Sequence, residues 1–360
     1  VSRYASIEAE VAAVEARGLR RTLRPLQMTD AVTGLLDGRS VTVFCSNDYL
    51  GLANHPDVAK AGGGSGSSRL ISGNRLSHEA LEERLSVLYG RPATLFSSGY
   101  HANLALMSTV LGVGDTVASD ALNHASIIDG LRLSKAERVI MSHGDPSALP
   151  KHAKMAVVEG LYSMDGDVLP LEAYTGDHWL AVDEAHAFGV LGPDGRGAAA
   201  DQGVQPDFVV GTLGKAIGAY GAFVIGPPSL RELLLSRGRA FIFTTGLPEG
   251  IVRQAMAGLD LADAERRARL ADRVHRLRRG LADLGVEALG EHHVVPIVLG
   301  DRTMAVAERL LERGFWAAGI RAPTVPAGQE RIRITCSSEH TSLQIDQLLS
   351  ALEQTLKELP

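Results

Sequence analysis

Two cysteines in 360 residues, Cys45 and Cys336, are too few and too far apart for a disulfide framework, and neither has the close partner that a zinc site needs. Basic charge is not in excess: 36 Lys and Arg face 42 Asp and Glu, a formal charge of −6, which excludes an electrostatic nucleic-acid binder as the default reading. Long apolar runs free of charge and glycine are also missing. The nearest approach, residues 208–226, holds Lys215 and five glycines (Gly211, Gly214, Gly218, Gly221 and Gly226), so it reads as strand, loop, strand in a buried site rather than as a membrane span. Residues 1–19 carry Glu8, Glu10 and Glu15 in a helical pattern, lack the basic start and apolar block of a secretory signal, and read as an amphipathic surface helix. A reducing, cytoplasmic setting is expected. What is present is an ordinary hydrophobic content of 45%, enough for a sizeable core in one large or two moderate domains.

Apolar, β-rich runs recur at 94–96, 116–118, 138–141, 155–159, 179–183, 208–212 and 222–226, separated by helical patterns. Short continuous apolar strands alternating with helices predict an α/β fold whose mostly parallel sheet is covered on both faces. After Pro227 the character changes to a long helical region, 229–284, with a break near 246–249. Strand candidates at 294–299 and 331–335 then flank a helix at 304–313, and a closing helix covers 342–359. The expected division is an N-terminal helix and arm (1–40), a large domain (41–229) and a smaller α+β C-terminal domain (230–360). The run GGGSGSS at 62–68 reads as a flexible loop.

Three motifs carry chemistry. Lys215 is the only charge in its glycine-rich run, at the end of a predicted strand; desolvated there, its neutral amine is favoured and can form a Schiff base with a carbonyl. It is not a phosphate-loop lysine, because Val209 stands where glycine is required and Ala216 follows it. The run VDEAH at 182–186 puts Asp183 and His186 at a strand end, where open α/β sheets present ligand groups; an aspartate can hold a proton on a ring nitrogen and an imidazole can donate to a phenolic oxygen, although the motif taken alone reads first as Asp183 capping the next helix. The run FSSGYHAN at 96–103 is a strand-to-helix turn whose free N–H groups suit a phosphate. His78-Glu79 and His292-His293 lack further ligands at metal spacing, so no metal is expected. A phosphate cradle, an Asp for a ring nitrogen, a His for a ring oxygen and a buried lysine together are the groups that hold pyridoxal phosphate.

With those residues in view, the chain resembles the α-oxoamine synthases, within fold type I of the pyridoxal-phosphate enzymes. The resemblance rests on CSNDYLGL (45–52), SRLISGN (68–74) with His78, SSGYHAN (97–103), NHAS (123–126), YSMDGD (162–167), VDEAHAFGVLG (182–192), GTLGKAIG (211–218) and PTVPAGQERIRI (323–334), in the family's order over nearly the whole chain. It implies a mostly parallel seven-stranded sheet with a smaller α+β domain. It implies pyridoxal phosphate on Lys215, which also takes the α-proton of the amino acid. Asp183 is then expected at the ring nitrogen, His186 and Ser163 near the phenolic oxygen, His124 on the ring face, and Gly99, Tyr100 and Thr212 at the phosphate. Thr244 or Thr245 is expected to reach the phosphate of a neighbouring subunit, which implies a homodimer with shared active sites. Asn47 and Arg333 are expected to receive the amino-acid carboxylate. Arg321 to Gly328 (RAPTVPAG) and Leu19-Arg20-Arg21 resemble the branch that joins L-alanine to a pimeloyl thioester on CoA or an acyl-carrier protein, with Arg20, Arg321 and Thr324 near substrate. A glycine-using synthase or ligase and a non-catalytic partner subunit stand as alternatives. The chain is shorter than the family pattern between 56 and 65, 146 and 155, and 174 and 179.

Overall fold

The computed structural model describes residues 12, 15–17, 26–52, 55–57 and 64–359. Arg20 and most of the expected N-terminal helix lie outside the described residues.

Strands β1 (Leu26–Met28), β2 (Thr33–Leu36) and β3 (Arg39–Val43) form an antiparallel meander that the sequence reading did not foresee. Helix α1 (Leu76–Tyr89) follows and stops at Gly90, whose φ of +68° gives the left-handed C-cap that glycine adopts without penalty. The chain then lays down β4 (Ala93–Phe96), α2 (Gly99–Val110), β5 (Thr116–Asp120), α3 (Ala125–Ser134), β6 (Glu137–Met141), β7 (Met155–Glu159), β8 (Trp179–Asp183), β9 (Phe208–Thr212) and β10 (Ala222–Ile225). These seven strands make one sheet in the order β4-β10-β9-β8-β7-β5-β6, in which β10 alone runs against the others. β5 and β7 are buried along their whole length, β7 apolar up to its closing Glu159 and β5 with Val117 and Ala118 between polar residues, whereas the edge strand β6 is largely exposed and carries Glu137 and Arg138.

Three apolar clusters cover the sheet, one of them setting Ala118, Met141, Ala156, Val158 and Val182 against Tyr162, Leu171 and Tyr174. The other two receive the helices that follow: one joins Leu106, Val157, Phe208 and Val210, the other Leu81, Leu95, Val209, Phe223 and Ile225. Leu230 and Leu234 of α4 (Pro228–Arg237) pack in the first, and Val252 and Ala255 of α5 (Glu249–Leu261) in the second. The expected division at 229/230 therefore falls inside packing that belongs to the large sheet. The smaller unit is built from α6 (Ala264–Asp283), β11 (Val294–Val298), α7 (Thr303–Glu312), β12 (Phe315–Trp316), β13 (Ala318–Ile320), β14 (Arg331–Thr335) and α8 (Ser342–Glu358). Asp263 caps α6 by accepting from Arg266 N at 2.8 Å, and Leu270, Val274, Leu277 and Leu281 recur on one face of it. That face meets Ile345, Leu348 and Leu352 of α8 over the three-stranded sheet β11-β14-β13.

Phe44, Tyr49, Leu50 and Leu52 belong to this second core, and β12 pairs in parallel with β3. The 44–52 segment is pinned there because Thr335 Oγ1 donates to the carbonyls of Phe44 (3.0 Å) and Ser46 (2.7 Å). It thus reaches from the smaller unit toward the carboxyl ends of the large sheet. Among the described residues no helix is long and apolar enough to cross a membrane; 208–226 forms β9, a loop and β10.

Candidate active site

Five motifs end at one edge of the large sheet, the carboxyl ends of its parallel strands, where such folds open a crevice. Asp183 ends β8, Glu159 ends β7, Lys215 follows β9, His124 follows β5, and the start of α2 follows β4.

Asp183 is buried. One carboxylate oxygen accepts from Asn103 Nδ2 at 2.7 Å and the other from Ala185 N at 2.9 Å, so it caps a turn, with no helix following it directly. Lys215 Nζ lies 2.8 Å from His186 Nε2. Burial pulls the Lys215 amine down to about 8 against the opposing fields of Asp183 and Glu159, with Arg333 adding to the depression. His186 is buried, and burial followed by the cations Lys215 and Arg333 holds its imidazole well below the usual range, hence neutral.

His124 is the N-cap of α3. Its Nδ1 accepts from Ser126 N at 3.2 Å, and its backbone N–H donates to Glu159 Oε1 at 2.6 Å. The ring is exposed at the crevice, lowered by desolvation while Asp183 and Lys215 pull it in opposite directions. Ser98 caps α2, and a Cβ at Gly99 would meet nothing within 4 Å, leaving the helix end open in front. Thr212 Oγ1 donates to the Gly221 carbonyl (3.1 Å) and accepts from Gly214 N (3.2 Å), which shapes the loop that carries Lys215.

Arg333 on β14 is buried and inward-facing rather than a surface strand residue. Its Nε donates to the Ser163 carbonyl at 2.5 Å and its Nη2 to Asn47 Oδ1 at 3.2 Å. Asn47 and Arg333 are therefore brought together. Arg321 and Thr324 are not joined to this network; they border a groove with Ile320, Met304 and Trp316. Thr244 and Thr245 line a small cleft with Ser97, Phe96 and Arg69, and Tyr100 donates its hydroxyl to Asp129.

The donor set suits pyridoxal phosphate: an amine lowered to about 8 for its carbonyl, a braced carboxylate for its ring N–H, and an open helix end for its phosphate.

The class I and II aminotransferase family model matches residues 39–352. The chain belongs to that family, in its α-oxoamine synthase branch. The 8-amino-7-oxononanoate synthase of Anaeromyxobacter sp. (strain K) is 44% identical over 382 aligned positions, covering 98% of this chain and 96% of the relative. That alignment is longer than the 360-residue chain, so the relative carries segments this family member lacks. Among solved structures, a serine palmitoyltransferase variant from S. paucimobilis with bound pyridoxal phosphate–myriocin aldimine superposes with a TM-score of 0.90 at 31% identity, covering 99% of this chain and 98% of that one. The 8-amino-7-oxononanoate synthase of Francisella tularensis superposes with a TM-score of 0.78 at 28% identity, covering 89% and 98%.

Sequence reasoning left several residues of this family site without a role. Tyr49 lay within CSNDYLGL, from which only Asn47 took a role; Asn103 sits one turn into α2, where only the fold reveals that it meets Asp183. Glu159 is fully enclosed and held well above the carboxylate range by burial and then by Asp183. His143 lies between Asp120 and Asp167, 2.9 Å from each, a bridge between the end of β5 and two later loops that no local motif announces.

Proposed function

We propose that this chain catalyses the decarboxylative condensation of L-alanine with a pimeloyl thioester, giving 8-amino-7-oxononanoate, CO₂ and the free thiol carrier, a step of biotin biosynthesis. The observation that carries the reading is Lys215: a lysine with its amine lowered to about 8, in contact with His186 and facing the carboxyl groups of Asp183 and Glu159. Near-full-length relatives that bear the 8-amino-7-oxononanoate synthase name support alanine and the pimeloyl thioester.

When bound, pyridoxal phosphate supplies a carbonyl that captures amines and a ring that delocalises the electron pair left at Cα. Asp183 keeps the ring nitrogen protonated, and its own orientation is fixed by Asn103 and the Ala185 N–H. His186 and Ser163 serve the phenolic oxygen, and Gly99, Tyr100 and Thr212 serve the phosphate. Lys215 would take the proton from alanine Cα and later return one to the product. Asn47 and Arg333 hold the alanine carboxylate until it leaves as CO₂, since a guanidinium suits a planar anion. His124, at the open side of the crevice, donates to the acyl oxygen as negative charge grows there. Arg20, Arg321 and Thr324 are assigned to the acyl substrate. The molecule works as a homodimer in a cytoplasmic setting, with Thr244 or Thr245 completing the phosphate site of its partner, and with CoA or an acyl-carrier protein as the thiol carrier.

The experiment is a spectrophotometric titration with pyridoxal phosphate and then L-alanine, glycine and L-serine, beside a Lys215→Ala control. A lysine-dependent visible band perturbed most by alanine is the expected result. A stronger response to glycine would move the assignment to the glycine-using branch, and a folded protein without a lysine-dependent band would favour a non-catalytic partner subunit.

A further inference from the structure

A continuous line of hydrogen bonds runs from the lysine amine to the guanidinium. Lys215 Nζ is 2.8 Å from His186 Nε2, His186 Nδ1 is 2.8 Å from the Tyr49 hydroxyl, that hydroxyl is 2.9 Å from Asn47 Oδ1, and Arg333 Nη2 reaches the same Oδ1 at 3.2 Å. Tyr49 is completely buried and its ring stands edge-on to His293 at 4.1 Å between centroids. Among the described residues it is the hydrogen-bonded link between the pair assigned to the substrate carboxylate and the pair assigned to the reacting amine.

The hydrogens along this line can be placed by donor and acceptor capacity alone. A guanidinium only donates, so Arg333 requires Asn47 to present its carbonyl oxygen. That oxygen can accept a second hydrogen, and the only one on offer at 2.9 Å is the Tyr49 O–H. Burial pushes the Tyr49 phenol up to about 12, so it keeps that hydrogen. With its hydrogen committed, the phenolic oxygen accepts, and the neighbouring His186 Nδ1 carries the ring proton. A neutral imidazole protonated on Nδ1 has a lone pair on Nε2, which accepts from the Lys215 amine. The reverse order would leave two acceptors facing each other at 2.9 Å, or with the amide turned over, two donors at 3.2 Å.

We infer that, before the cofactor enters, Tyr49 is a positioning residue that fixes the tautomer of His186, turns its Nε2 lone pair to Lys215, and makes the amine sense whether a carboxylate occupies Asn47 and Arg333. This rests on the functional reading above for the identity of the two sites. A carboxylate that draws the Arg333 fork away from Asn47 removes the constraint that orders the whole line. His186 remains neutral throughout, since burial, Lys215, Arg333, His293 and His124 all act against its protonation.

The test uses full-length protein labelled with ¹⁵N in its histidines: wild type, Tyr49→Phe and Asn47→Ala, with the His186 ring signals assigned through His186→Gln. Each is measured with and without propionate, which has the carboxylate and methyl group of alanine and no amine. In the wild type Nδ1 is expected to be protonated and Nε2 bare, and propionate to shift both signals. Tyr49→Phe keeps the buried ring but is expected to lose the single tautomer and to weaken the propionate response by about fivefold or more, the low end of ordinary coupling between sites. Asn47→Ala, with Tyr49 intact, frees the hydroxyl to turn and is expected to change the tautomer in the same way, which separates ordering of the line from loss of a buried group. A wild-type ring pattern in either variant, or an equal propionate response in Tyr49→Phe, overturns the inference, because a field acting through space needs no hydroxyl. The same samples mixed with pyridoxal phosphate report the functional reading separately: absence of a Lys215-dependent band in the wild type contradicts that reading, whatever the tautomer of His186.

Discussion

The chemistry of the site depends on how much neutral amine Lys215 offers, and that is set by its surroundings. With its amine lowered to about 8 from the ordinary 10.5, the pairing of burial against Asp183 and Glu159 leaves it ionised but close to neutral pH. At pH 7 a group at 8 is about 9% neutral and one at 10.5 about 0.03%, so the nucleophilic form is about 300-fold enriched over a lysine in water. The assay is stopped-flow capture of pyridoxal phosphate from pH 6 to 10, divided at each pH by the rate with a free lysine derivative to remove the ionisations of the ligand. The normalised rate is expected to carry a midpoint near 8 and to vanish in Lys215→Ala. Asp183→Asn removes the larger of the two opposing carboxyl contributions, so the midpoint is expected to fall below 8. A wild-type midpoint near 10, or a rise in Asp183→Asn, would refute the electrostatic reasoning.

His143 is raised to about 10 by Asp120 and Asp167 despite burial, which opposes its charge. Its folded value lies above the unfolded 6.5, so this bridge contributes fully below pH 6.5 and is lost as pH rises toward 10; the thermal midpoint should fall over that window and His143→Gln should flatten the fall. Arg333→Gln should raise the alanine concentration for half-saturation about 10-fold or more, in line with ~1.5–3 kcal/mol for a hydrogen bond to charge, while the cofactor band still forms; an unchanged value would remove Arg333 from carboxylate binding. In α5, a Cβ at Gly258 would lie 2.1 Å from the Ile217 carbonyl, two residues from Lys215, so Gly258→Ala should cost ~1–3 kcal/mol in denaturant unfolding and slow cofactor capture. Leu277→Ala, in the centre of the smaller core, should cost ~2–5 kcal/mol and leave the midpoint of the Lys215 capture profile in place.

The large sheet was legible because its strands are buried on both faces: Met155–Glu159, Trp179–Asp183 and Phe208–Thr212 stand where the apolar runs put them. The β1–β3 meander was not, since it is short, half-exposed and stabilised by pairing with β12, in which Phe315 stands opposite Thr42. Helix periodicity located α4 to α6 but could not say which core they join; that depends on where Leu230 and Val252 land. In the site, Lys215, Asp183 and His186 were legible because each sits at the end of a strand in a local motif. Tyr49, Asn103 and His143 act through partners from other elements, 137, 80 and 23 or 24 residues away, and no spacing rule reaches that far.

The central claim is that Lys215 drives a condensation in which alanine loses its carboxylate. The direct measurement is carboxyl-labelled L-alanine with pimeloyl-CoA on the pyridoxal-phosphate-loaded protein, following labelled CO₂ and free CoA together. We expect the two to appear in equal amounts, to depend on both substrates, and to be absent in Lys215→Ala. Retention of the label in the product, or equal release in the lysine variant, would contradict it.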